Sequence, residues 1–266
     1  MIEVKKLRKS FGPIVAVDGV SFSAEQGDVL GFTGPNGAGK TTTMRMLSCF
    51  LRPDAGAATV AGYDILDESV GVRRRLGYLA ENVPAYDEMT TAGFLKFVCD
   101  TRGITGAERR RAIERIAETC SITGVLHQLI GTLSKGYRRR VGLAQALIHD
   151  PPVLLLDEPT DGLDPNQKFE VRELIKALAR EKCIVVSTHI LEEVDAICNR
   201  MIVMDRGGIR ADSTPDKLRE EVGGSLDEVF RKLTTRDTAP REGAGAAAEP
   251  PPEPAEAAEA AEGGER

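Results

Sequence analysis

The tightest constraint on this chain is a short apolar strand that runs directly into a glycine-rich loop ending in Lys-Thr. Residues 28–33 read Asp-Val-Leu-Gly-Phe-Thr, and residues 34–41 read Gly-Pro-Asn-Gly-Ala-Gly-Lys-Thr. Met44, Leu47 and Leu51 recur at helical spacing, which predicts a helix from about Thr41 to Phe50, ended by Arg52-Pro-Asp-Ala-Gly. Strand, loop and helix in this order form the P-loop pattern Gly-x-x-x-x-Gly-Lys-Thr. Its glycines let the main chain curl until several N–H groups converge on one phosphate, and the helix dipole adds partial positive charge there. Gly34, Pro35, Asn36, Gly37, Ala38, Gly39, Lys40, Thr41 and Thr42 are the expected cradle. Lys40 is expected to reach the β- and γ-phosphates, and Thr41 to offer its hydroxyl to Mg²⁺.

The rest of the chain supports one large α/β unit. Residues 2–7 and 15–22 alternate as short strands, the second around Asp18-Gly19. Apolar strands return at Val153-Leu-Leu-Leu-Asp, Cys183-Ile-Val-Val-Ser and Met201-Ile-Val-Met, with helical segments at about 167–180 and 190–198 between them. Such alternation implies a mainly parallel sheet covered on both faces. From about residue 83 to 150 the pattern is helical only, which reads as an insertion into that core. Phe94 and Phe97 are expected in the core of this insert, and the run Arg138-Arg-Arg as a solvated or interface face. The folded unit is expected over residues 1–237. Residues 238–266 collapse to Ala, Pro, Glu and Gly, too few apolar groups to offset ordering entropy, and are expected to form a disordered acidic tail.

Composition narrows the function classes. Hydrophobic residues make up 41 %, enough for a real core, while a net charge of −6 argues against nucleic acid as the main partner. Cys49, Cys99, Cys120, Cys183 and Cys198 form no CxxC pair, so reduced thiols are expected rather than a zinc site or disulfide framework. Neither a signal peptide nor an apolar run of ~20 residues is present, so any membrane-spanning part must come from another chain.

Asp157 and Glu158 close an apolar strand, where ligands sit in open α/β sheets. Asp157 suits Mg²⁺, which keeps waters and takes one or two carboxylates, and Glu158 is placed to polarise an attacking water.

Together with Leu133-Ser-Lys-Gly136-Tyr137 just upstream, these motifs resemble the ATP-binding-cassette ATPases from residue 2 to about 234. The family's Leu-Ser-Gly-Gly-Gln signature stands here with Ser134 and Gly136 kept and two positions changed. The resemblance implies that Asp161-Gly-Leu-Asp164 is the D-loop, with Asp164 among the nucleotide-binding residues, and that His189 is the switch histidine. It also implies that Phe11 stacks on adenine, although an aromatic there could equally belong to the core. Residues 47–50, 77–82, 133–137 and 164–167 look like the gliding-motility-associated branch of exporter ATPases. Glu81 departs from the usual Gln and is expected either to ligate Mg²⁺ as a hard oxygen or to serve coupling to a permease.

The implied assembly is a homodimer with each ATP held between one P-loop and the partner's Ser134–Gly136 helix start, bound to a separate permease on the inner face of the cell membrane. Control of an envelope process without transport uses the same motifs and is the alternative. Export follows from the branch resemblance alone.

Overall fold

The computed structural model describes residues 1–234; the tail expected over 238–266 lies outside the described residues. The chain opens with β1 (Ile2–Phe11) and β2 (Ile14–Ala24), an antiparallel hairpin in which Phe11 faces Ile14 across Gly12-Pro13. Next come β3 (Val29–Thr33) and α1 (Lys40–Leu47), the strand and helix flanking the glycine loop. β4 (Ala55–Val60) and β5 (Tyr63–Asp64) extend the hairpin into a four-stranded sheet of order β2-β1-β4-β5. Then follow α2 (Ser69–Arg75), β6 (Leu76–Leu79), α3 (Thr91–Thr101), α4 (Gly106–Thr119) and α5 (Lys135–Leu147). The chain continues with β7 (Val153–Asp157), α6 (Pro165–Ala179), β8 (Cys183–Ser187), α7 (Leu191–Ile197), β9 (Arg200–Asp205), β10 (Gly208–Ser213), α8 (Pro215–Val222) and α9 (Leu226–Thr234).

The second sheet has six strands in the order β10-β9-β3-β8-β7-β6, all parallel except β10. β3, β7 and β8 are buried at every position, which is why they read as unbroken apolar runs. Their residues alternate between two cores. Leu154, Leu156, Ile184 and Val186 face the side that packs the helices from α3 to α7. Val153, Leu155, Cys183 and Val185 face α1 and the antiparallel sheet, where Phe22 meets Phe32 edge-on at 5.0 Å. This sandwich holds the carboxyl ends of β3, β8 and β7 side by side, so residues 33, 187 and 157 open onto the glycine loop.

Three expectations are corrected. The helix after the loop stops at Leu47, because Cys49 takes a left-handed φ of +58° that no α-helix can continue. Phe94 is core, but Phe97 is 42 % exposed and packs edge-on against Tyr86 at 5.7 Å. The arginine run is not one solvated face, since three successive helical residues point in three directions. Arg138 pairs with Asp87 at the surface, whereas Arg139 and Arg140 are buried, the latter paired with Glu170 at 2.7 Å.

Candidate active site

Gly34 has φ +156°, and a Cβ there would come within 2.2 Å of the Met204 carbonyl oxygen. Gly39 has φ +100°, and a Cβ there would lie 2.4 Å from the Ala16 carbonyl oxygen. Both positions are closed to side chains, which is why the loop must be glycine-rich. Gly39 is also the N-cap of α1 and supplies no side-chain cap, so the first-turn N–H groups stay directed into the loop. Lys40 is buried and folds back over the loop, its Nζ donating to the carbonyls of Gly34 at 2.7 Å and Pro35 at 3.1 Å. Burial pulls its amine below the ordinary lysine value, opposed by the carboxylates of Glu158, Asp157 and Glu81.

Among the described residues, three polar atoms next to this loop are buried without a hydrogen-bond partner, Thr33 Oγ1, Asp157 Oδ2 and Glu158 Oε2, and the buried Ser187 hydroxyl beside them has only the Asp157 carboxylate to meet. Buried polar atoms are almost always paired, so this cluster marks groups shaped to meet a ligand. Burial pushes the Asp157 carboxyl up from its usual value, and the hydroxyls of Ser187 and Thr41 beside it oppose the shift. Carboxylate and hydroxyl oxygens form the donor set of a hard cation such as Mg²⁺, and the chain's residues fit that ion. Among the described residues no group of three or more His, Cys, Asp or Glu side chains is arranged to hold a metal ion.

Glu158 follows β7 with φ +50°, a left-handed conformation that costs on the order of 1–3 kcal/mol outside glycine and tends to be kept at functional sites. Its N–H donates to the Ser187 carbonyl at 2.9 Å. Its Oε1 accepts from the His189 N–H at 3.1 Å and lies 2.8 Å from His189 Nδ1. His189 thus holds one carboxylate oxygen of Glu158 and leaves Oε2 directed inward. Glu81, on the loop after β6, is exposed, yet near enough to Lys40 for its charge to favour the protonated amine.

The remaining predicted residues lie apart from this cluster. Ser134 caps α5, its Oγ accepting from the Tyr137 N–H at 3.3 Å, and Gly136 is packed so closely that a Cβ would meet Gln167 Oε1 at 2.4 Å. Among the described residues no hydrogen bond joins Ser134 or Gly136 to the glycine loop. Asp164 is engaged as the N-cap of α6, accepting from the Gln167 N–H at 2.9 Å. Phe11 is 45 % exposed at the hairpin tip, with Lys9 Nζ 5.7 Å from its ring centre, which excludes the core reading. Sequence reasoning missed Ser187 and Thr33. Each closes an apolar strand just as Asp157 does, and that shared position was the available signal.

A family model described as "ABC transporter" matches residues 17–161. The chain is 36 % identical to the doxorubicin resistance ATP-binding protein DrrA of Mycobacterium tuberculosis over 231 residues, covering 86 % of this chain and 70 % of that protein. It is 38 % identical to the daunorubicin resistance ATP-binding protein DrrA3 of Streptomyces coeruleorubidus, covering 87 % and 74 %. Among solved structures, an ATP-binding subunit of an ABC transporter superposes with a TM-score of 0.81 at 28 % identity, covering 88 % of this chain and 99 % of that one. The dimeric bacterial cassette MJ0796 shares the fold, with a TM-score of 0.75 at 24 % identity over 80 % and 98 % of the two chains.

Proposed function

This chain belongs to the ABC transporter family as an ATP-binding and ATP-hydrolysing subunit, and we propose that two copies, stacked head to tail, drive a separate membrane permease that exports its substrate. Members of the family act as dimers paired with a membrane permease. The observation that carries the reading is the set of orphaned polar atoms beside a buried lysine and a strained glutamate. A second copy is supported by the separation of Ser134 and Gly136 from the glycine loop of the same chain. The start of α5 has N–H groups suited to a γ-phosphate and none of its own to serve.

In this mechanism Lys40 exchanges the carbonyls of Gly34 and Pro35 for the β- and γ-phosphates, and Phe11 stacks on the base. Thr41 and Asp157 would hold Mg²⁺, which neutralises phosphate charge when bound. Glu158, held by His189, orients and polarises the attacking water. Ser134 and Gly136 close on the nucleotide of the other copy, and loss of phosphate releases the pair. Residues 1–237 form the ATPase unit, with the helices of residues 83–150 as its insert facing the permease.

The drug-resistance names of the relatives support export of a drug-like molecule. The gliding-motility-associated branch is the finer reading and rests on the sequence motifs alone. No described helix is long and apolar enough to cross a membrane, which fits a peripheral subunit carried on the inner face of the cell membrane by its permease. Affinity purification of the full chain from solubilised membranes should bring down a multi-span protein in equal amount. Recovery of only an envelope regulator without spanning helices would favour control over transport.

Glu81 supplies a prediction about the metal. Its carboxylate adds a third negative charge near Asp157 and Glu158, which resists closure on phosphate until a divalent cation is present. Glu81→Gln should therefore show a shallower Mg²⁺ dependence, both of ATP binding by calorimetry and of turnover at saturating ATP. Superimposable Mg²⁺ curves would leave Glu81 with coupling only.

A further inference from the structure

Arg139 lies in the second turn of α5, behind the helix start offered to the second copy, and is only 5 % exposed. A buried guanidinium ordinarily takes a carboxylate partner. Among the described residues Arg139 has no carboxylate within ion-pair distance. Its Nη1 donates instead to the carbonyls of Ala80 at 2.8 Å and Glu81 at 2.7 Å, and its Nη2 donates to the carbonyls of Asp157 and Glu158.

These four carbonyls belong to two segments. One leaves β6 and carries Glu81; the other is the end of β7, Asp157, with Glu158 just beyond it. A single side chain on a third element thus fixes both segments, including the main chain of Glu158 itself. A left-handed glutamate persists only where its surroundings over-determine it, and the planar fork of Arg139 supplies that constraint. A second contact tightens the same seam: Lys135, four residues earlier on the same helix face, pairs with Asp161 at 2.7 Å. Lys135 stands where the usual signature has Gly, and Asp161 opens the turn that follows Glu158.

We infer that Arg139 is a positioning residue for hydrolysis: it locks the Glu158 main chain to α5, so that the carboxylate is aligned on its water only while α5 is seated. Because the start of α5 is the part that meets the nucleotide of the second copy, Arg139 carries the occupancy of one ATP site to the glutamate of the other. This deepens the proposed mechanism and rests on the role of Glu158 there. It requires no contact between Arg139 and nucleotide.

The test uses the full chain with Arg139→Gln, which keeps two N–H donors without the fork, and Arg139→Lys, which keeps the charge should the amide variant fold poorly. Thermal melting, ATP affinity, KM and kcat per folded subunit are measured for each, alone and combined with Glu158→Gln. kcat should fall by on the order of tenfold to a hundredfold, as misplacement of a reacting group does. ATP affinity and KM should stay within about twofold, and the combined variants should be no slower than Glu158→Gln alone. Unchanged kcat per folded subunit, whatever the melting temperature, would show a purely structural arginine. Losses that multiply in the double variants would overturn the inference equally. Normal turnover by Glu158→Gln alone is a separate failure, because it removes the glutamate that Arg139 is said to place.

Discussion

Replacing Lys40 by alanine is expected to abolish ATP binding while leaving a folded protein. Lys40 is the cation of the loop, and its Nζ lies on the carbonyls of Gly34 and Pro35, where it is held ready for phosphate. Charge-assisted contacts to two phosphates are lost together, so affinity should drop by at least ~100-fold. The fold should lose about 1–3 kcal/mol, because the buried Gly34 carbonyl and the half-buried Pro35 carbonyl are left without their donor. Calorimetric titration of the variant with ATP, after its melting curve has been recorded, checks both parts. Normal affinity would remove Lys40 from the cradle.

Glu158→Gln is expected to separate binding from chemistry. The amide fills the same space, and its oxygen can still accept from the His189 N–H, so the loop geometry should survive. What is lost is the charge that polarises water, and turnover should fall by about 10²–10⁴-fold with ATP affinity kept. Removing one of the carboxylates crowded around Lys40 and Asp157 also relieves repulsion against the phosphates. A single-turnover assay with labelled ATP should therefore find bound, uncleaved nucleotide. Turnover near the unsubstituted rate would show that another group orients the water.

What could be read in the sequence follows where the physics is local. The glycine loop, the acidic pair and the buried strands β3, β7 and β8 carry their own signals, since backbone strain and two-sided burial both restrict composition. β4 carried none: Ala55-Gly-Ala-Ala-Thr-Val is small and partly exposed, and it is a strand because β1 pairs with it. α8 had a usable cap, Thr214 accepting from the Lys217 N–H with Pro215 at its start, but no apolar stripe long enough to draw a helix from. Glu158's left-handed φ and Arg139's four carbonyls were hidden for a different reason. The four carbonyls depend on segments 58 and 18 residues from Arg139 being brought together, and the φ of Glu158 is a backbone choice at a non-glycine residue, neither of which any spacing encodes. Among the predicted site residues, Ser134, Gly136, Asp164 and Phe11 lie apart from the cluster that Lys40, Thr41, Asp157, Glu158 and His189 form. For Ser134 and Gly136 a second copy accounts for the gap.

That second copy is the central claim, and the mass of the Glu158→Gln chain in solution tests it most directly. Light scattering with and without Mg²⁺ and ATP should show a monomer that doubles in mass on adding ATP and returns when ATP is removed. Ser134→Arg, placed in the same background, should bind ATP yet remain a monomer, because the α5 start can no longer close on a γ-phosphate. A chain that binds ATP tightly and keeps a monomer's mass in the Glu158→Gln form would contradict the account.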